Sequence, residues 1–378
     1  MLITDSFNNQ LDDLLERICE KLQISPTQHQ SAKDRYDAVA RCLSKEGSPL
    51  SDVSIDIYSQ GSLRIGTTVR PLKYQEYDLD FVCELGLNWS KSCPIEVLNT
   101  VEECLKKNDT YRPMIERKNR CVRLNYANEF HMDILPASPD FHKNGGCVKV
   151  PDRNAEEWKD SNPTGYASWF NLKSESFYKS MDERFAASIE PLPAHEPADR
   201  KTPLQRSVQL IKRYRDVTFQ ANPERAPISI VLTTLAGNHY QGQISITESV
   251  SCTLQGILSS IPSNGNRLYV RNPTNPYEDL SERWDEKPEL YIEFLKWLKD
   301  FTAAWDELQA TSGIQNVKKI LTRMFGESLA DTVIREQNEF INEARKEKNL
   351  RMVPATGMLT TIAGMRSVEI KKNTFYGK

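Results

Sequence analysis

Long apolar runs, paired cysteines and an excess of positive charge are all missing from this 378-residue sequence. No apolar stretch approaches the roughly 20 residues that a membrane-spanning helix needs, so no membrane partner is expected. The opening residues, MLITDSFNNQLDDLLERI, are polar and acidic and lack the basic-then-apolar pattern of a secretory leader, which points to a cytoplasmic protein. The eight cysteines (Cys19, Cys42, Cys83, Cys93, Cys104, Cys121, Cys147 and Cys252) are scattered. None forms a C-x2-C pair or combines with a histidine at zinc-ligand spacing, so reduced structural thiols are expected. Lysine and arginine number 49 against 52 aspartate and glutamate, giving a net charge of −3. That balance offers no basic footprint for a duplex, and no long nucleic-acid partner is expected.

What is present is an ordinary globular composition, 39% hydrophobic and 27% charged, on a chain near the upper length for one core. Two packed lobes are therefore expected. Helical spacing predicts helices over 5–24 and 27–46, and alternation predicts a strand over 53–59. A second strand, 77–85, a helix over 94–107 and a strand pair, 121–126 and 130–135, follow. Residues 140–163 read as loop, and a helix starting at Asn162 or Thr164 carries Tyr166, Trp169 and Phe170. The proline-rich stretch 187–203 reads as a linker between lobes. The rest reads as helices over 203–220, 227–241, 247–261, 287–309, 313–325 and 328–347, then an irregular tail over 353–378.

The chemistry lies in SQGSLRIGTTVRPLKYQEYDLDFV, residues 59–82. Asp78 and Asp80, at i and i+2 on a strand, leave the same face. Such close anions repel one another unless a cation lies between them. Hard carboxylate oxygens suit Mg²⁺ or Mn²⁺. A third aspartate, Asp133 in FHMDILPA, shares its strand face with His131. Gly61 allows close backbone approach to phosphates, and Ser62 supplies a hydroxyl donor. Three carboxylates beside such a turn match nucleotidyl transfer with two metal ions. Asp133 can also accept the nucleophile's proton, directly or through water. Tyr58, Tyr166 and Tyr240 are candidates for stacking a base, and His131 has a structural reading.

QGSLRIGTTVRP, YDLDFV and HMDILPA together resemble the polymerase-β superfamily, and more narrowly the cGAS/DncV-like nucleotidyltransferases (CD-NTases) of bacterial anti-phage signalling. PLQRSVQLIKRYRD (203–216), APISIVLTTLA (226–236) and VRNPTNPYEDLSERW (270–284) extend the resemblance to roughly residues 35–310. It implies an α+β, bilobal fold, a small mixed sheet packed on a helical lobe with the active site in the cleft. The lobes would be 1–190 and 200–350, followed by a tail, 351–378. Asp78, Asp80 and Asp133 resemble the metal-binding catalytic triad, and Gln60, Gly61 and Ser62 the phosphate-binding turn. Lys212 and Ser229 resemble contacts to the donor triphosphate. Read from the residues alone, Lys212 equally suits a solvated helix face and Ser229 a helix cap.

The resemblance implies that nucleoside triphosphates, ATP among them, are joined into a cyclic di- or trinucleotide second messenger with release of pyrophosphate. The alternative is transfer to another acceptor: an RNA end, a protein or a small molecule. The zinc-binding insertion and basic surface of the animal relatives are not seen here. The ending NTFYGK resembles tails that some bacterial members present to ubiquitin-transfer-like partners, although the last residue here is Lys378 rather than glycine.

Overall fold

The computed structural model describes residues 2–72, 77–127, 129–143, 145–174, 190, 192–194, 200–353, 358–360 and 367–369. The NTFYGK ending and much of the expected linker lie outside these residues. The chain opens with α1 (Leu2–Lys21) and α2 (Pro26–Leu43). The second begins with a capping box, in which Ser25 accepts from the Gln28 amide and Gln28 answers to the Ser25 amide. Then come β1 (Ile55–Ser59), a single-turn α3 (Gly61–Arg64), β2 (Tyr77–Leu85) and α4 (Pro94–Lys106). The strands β3 (Ile115–Arg117), β4 (Val122–Tyr126), β5 (Phe130–Pro139), β6 (Val148–Asp152) and β7 (Glu157–Ser161) complete the first half.

These seven strands form one mixed sheet in the order β1-β2-β5-β4-β3, with β6 added to the far end of β5 and β7 to β6. The one parallel pair, β2 with β5, lies at the centre and sets Asp80 opposite Asp133. Tyr36 of α2 meets Phe81 of β2 edge-on, with ring centroids 5.3 Å apart. Leu98 and Val101 of α4 are fully buried in the same cluster, so these two helices cover one sheet face. The opposite face carries polar groups at one end and a smaller buried cluster, Tyr58, Val82, Ala137, Val148 and Val150, at the other.

The second half is helical: α5 (Pro163–Ser174), α6 (Pro203–Thr218), α7 (Ser229–His239) and α8 (Ile246–Ser260). A two-stranded hairpin, β8 (Arg271–Asn272) and β9 (Asn275–Asp279), precedes α9 (Arg283–Glu286). The helices α10 (Pro288–Ala310), α11 (Ile314–Phe325) and α12 (Glu327–Lys346) follow. Tyr214 of α6 stacks on Phe301 of α10 with centroids 4.1 Å apart, at the middle of this core.

Four expectations change. Residues 140–163 are not all loop: β6 and β7 pair there, because the end of β5 offers an open edge at Ser138 and Pro139. The Gly-Ser turn closes into the short helix α3. The tail carries three short strands, β10 (Arg351–Val353), β11 (Met358–Thr360) and β12 (Val368–Glu369), in a sheet of their own. Finally, α1 precedes the sheet in sequence but packs with the helices. Its Leu11, Leu14, Leu15 and Ile18 join the same buried cluster as Leu204, Val250 and Phe301.

Candidate active site

The face of β2 and β5 turned away from α2 and α4 presents Asp78, Asp80 and Asp133. Strand alternation sends Leu79, Phe81, Met132 and Ile134 into the core and the carboxylates the other way. Arg123, on β4 directly opposite Asp133, gives the face its cation. Its Nε donates to Asp133 Oδ1 at 2.6 Å, and its Nη2 reaches Asp133 Oδ2 at 2.7 Å and Asp78 Oδ1 at 3.2 Å. His131 Nδ1 lies 3.4 Å from Asp78 Oδ1, beside the site. This bidentate fork holds the guanidinium above its ordinary pKa, chiefly through the hydrogen bonds to Asp133.

One guanidinium does not balance three carboxylates. Burial pushes the Asp80 carboxyl up to about 8, and the neighbouring Asp78 and Asp133 push the same way. Asp78, at the cleft mouth, is also raised by desolvation, with Arg123 pulling it back. The residue types suit a hard divalent cation, since three carboxylates share one sheet face with negative charge in excess. Gly61 adds a second sign of fit. With φ +64 its Cα faces the Asp80 carboxyl, and any Cβ there would overlap Asp80 Oδ2. Among the described residues, however, no group of three histidine, cysteine or acidic side chains is arranged to hold a metal ion as it stands. The Arg123 fork engages both Asp133 oxygens.

The turn is tied to this face by its backbone. The Gln60 amide donates to the Asp80 carbonyl at 2.9 Å, which ties the turn to β2. Thr67 N–H closes back on Ser62 O at 2.8 Å, and the Ser62 and Thr68 hydroxyls are 3.2 Å apart. Lys212 is only 5% exposed, which excludes the solvated-face reading. Its Nζ donates to Thr67 O at 3.2 Å and Thr67 Oγ1 at 3.1 Å. Burial and then Arg215 bring its pKa down to about 7. Ser229 begins α7 without capping it: the N-cap is Ile228 and makes no side-chain cap bond. Its Oγ instead accepts from Arg215 Nη1 at 2.6 Å.

A cavity of about 940 Å³ joins these groups, lined by Gln60, Asp78 and Asp80 on the sheet side and Lys212, Ser229 and Glu282 on the helical side. That volume lies at the upper end of small-molecule sites. Of the three tyrosines expected to stack a base, only Tyr166 lines it. The Tyr58 hydroxyl donates to Glu84 and that of Tyr240 to the Gln243 carbonyl, both turned elsewhere. At the far rim, Arg120 bonds Asp152 of β6 at 2.9 Å and pairs with Glu282, bridging the two halves.

A scan against family models matches the Second Messenger Oligonucleotide or Dinucleotide Synthetase domain over residues 8–173. Over their full lengths, the chain and a c-di-GMP synthase of Roseivirga ehrenbergii are 35% identical, with 100% of each covered. The chain belongs to the cGAS/DncV-like nucleotidyltransferases. It is accordingly a nucleotidyltransferase that makes cyclic oligonucleotides from nucleoside triphosphates. The cyclic dinucleotide synthase CdnG of Bradyrhizobium diazoefficiens is 28% identical over 75% of this chain and 72% of its own. The solved structure of that CD-NTase in complex with GTP has the same fold, with a TM-score of 0.72 at 24% identity over 87% of this chain and 98% of that one. Escherichia coli DncV in a 3′-deoxy GTP bound form gives 0.52 at 16% identity, covering 88% of this chain and 83% of that one. The bilobal α+β architecture expected of a CD-NTase is thus the observed one.

Proposed function

We propose that the protein joins two molecules of GTP into cyclic di-GMP, with release of two pyrophosphates, as a second messenger in anti-phage defence. The observation that carries the product assignment is end-to-end similarity to a relative named for it, which favours GTP over the ATP expected at first. In each of two rounds a ribose hydroxyl attacks the α-phosphorus of a triphosphate. A new P–O bond forms, the α–β phosphoanhydride breaks, and pyrophosphate carries away the electron pair.

Asp78, Asp80 and Asp133 would hold a divalent cation, of the kind the family generally uses. When bound it would lower the pKa of the attacking hydroxyl and neutralise charge on the transferring phosphates. The remaining roles fall to this chain's own groups. Arg123 must release Asp133 for that carboxylate to serve, directly or through water, as acceptor of the hydroxyl proton. Ser62, Lys212 and Ser229 face the cavity as donors to triphosphate oxygens, and charged Lys212 offsets their charge. Tyr166 supplies an aromatic wall.

The test is a thin-layer assay with purified protein, Mg²⁺ or Mn²⁺, and α-³²P-labelled triphosphates given singly and mixed, followed by phosphatase. A phosphatase-resistant spot from GTP alone, absent with Asp78→Ala and with EDTA, is the expected result. A resistant spot that requires ATP or a pyrimidine triphosphate would reject cyclic di-GMP.

A further inference from the structure

Five side chains around α6 donate to the backbone of the segment that follows the Gly-Ser turn. Gln205 Nε2 reaches Ile65 O at 3.1 Å, Lys201 Nζ reaches Gly66 O at 2.5 Å, and Lys212 Nζ reaches Thr67 O at 3.2 Å. Gln209 Nε2 reaches Thr68 O at 2.7 Å and Arg213 Nη2 reaches Arg70 O at 2.6 Å. Positions 205, 209, 212 and 213 stand at i, i+4, i+7 and i+8, one face of a helix. All five donors are buried, at 0–8% exposure. A surface helix would turn such a polar stripe to water. This one is turned inward and meets the carbonyls of Ile65, Thr67, Thr68 and Arg70, while Lys201, just before α6, takes that of Gly66.

The stripe is itself held in place. Gln205 Oε1 accepts from the Thr202 amide at 2.9 Å, the capping box of α6, and that fixes its Nε2 toward Ile65. Gln209 pairs with Gln23, which follows α1: Gln23 Nε2 donates to Gln209 Oε1 at 3.1 Å and to Cys19 O at 2.6 Å. From the same region Leu22 O accepts the Arg70 amide at 2.6 Å. The segment 65–70 is thereby clamped between α6 and the end of α1.

We infer that Gln205 and Gln209 are positioning residues for the triphosphate: they hold residues 65–68 so that the Ser62 and Thr68 hydroxyls and the Lys212 ammonium face one phosphate chain. This rests on the reading of Gln60–Ser62 as a phosphate-binding turn. A buried polar face costs stability unless every member is paired, and apolar residues would pack α6 at lower cost. Gln209 is fully buried and does not line the cavity; its Nε2 is spent on Thr68 O of the loop and its Oε1 on Gln23, which anchors it.

The experiment uses the full chain with Gln209→Met and, separately, Gln205→Met, which keep the side-chain length and remove the donor. Dissociation constants for inorganic tripolyphosphate and for GTP are measured by calorimetry with Mg²⁺, alongside KM, kcat and melting temperature. About ten-fold weaker tripolyphosphate binding in each variant, matched by a rise in KM for GTP, is the expected result. A lower melting temperature with unchanged tripolyphosphate affinity and KM would reduce both residues to packing and overturn the inference. Should one variant fail to fold, the other decides. If the wild type binds GTP but no tripolyphosphate, the phosphate reading of the turn fails and the inference falls with it. If it binds tripolyphosphate but makes no cyclic product, the proposed reaction fails while the glutamine test stands.

Discussion

Replacing Gly61 by alanine asks two separate things of the turn. The first is a left-handed backbone at φ +64, which costs an L-residue about 1–2 kcal/mol. The second is room. A Cβ at that position would stand 3.2 Å from Asp80 Cγ and 3.3 Å from Asp80 Cβ, and it would overlap Oδ2. Ordinary contact begins at 3.4 Å, so the carboxyl must retreat by about 1 Å, a displacement that can cost about 100-fold in rate, or roughly 2.7 kcal/mol of barrier. Gly47→Ala is the control, because Gly47 has φ +76, an added methyl there would meet nothing within 4 Å, and the residue lies far from the carboxylates in the chain. Initial rates of cyclic product and melting temperatures are measured for both. Both variants should melt a few degrees lower, while only Gly61→Ala loses about 100-fold in kcat/KM. Full activity in Gly61→Ala would refute the claim that this glycine exists to let the turn reach Asp80.

Asp80 carries its proton to about pH 8 in the folded protein, well above the carboxyl's value in an unfolded chain. The folded state therefore binds more protons than the unfolded one across pH 4–8, and metal-free stability should fall over that range. Asp80→Asn should flatten the fall and raise the metal-free melting temperature; a decline of wild-type size in the variant would reject the assignment. Arg123→Gln removes the guanidinium that forks Asp133 and reaches Asp78, so the metal-free protein should lose about 3 kcal/mol in denaturant melts and regain most of it with Mn²⁺. An unchanged metal-free melt would show that the fork contributes nothing. Lys212, with its pKa brought down to about 7, is charged below that pH. Triphosphate affinity should therefore weaken as pH rises above 7, and Lys212→Met should be weaker throughout and lose that dependence; an identical profile in the variant would place the titration elsewhere.

The aspartates could be read from sequence because two-residue alternation fixes their face without any knowledge of neighbours, and the helices because their apolar spacing is long and regular. Arg123 was equally written in CVRLNY, where it alternates with Val122 and Leu124, but its meaning depends on the register that sets β4 against β5. The β6–β7 pair was hidden because Pro151 and the charged EWKDS segment suit a loop locally; the pairing comes from the open end of β5. Lys212 on α6 kept two readings, a solvated face and a triphosphate contact, for the same reason. Its place, and that of the polar residues one and two turns away, is decided only by the carbonyls of 65–70 packed against the helix.

The packing of α1 has a topological consequence. The chain begins in the helical body, leaves it to build the sheet, and returns at α5, so the sheet half is in effect a long insertion within a helical unit. Cutting at the proline-rich stretch would not yield two independent halves. A fragment spanning 200–350 would lack the Leu11, Leu14, Leu15 and Ile18 side chains that complete its core and would expose apolar surface where α1 belongs.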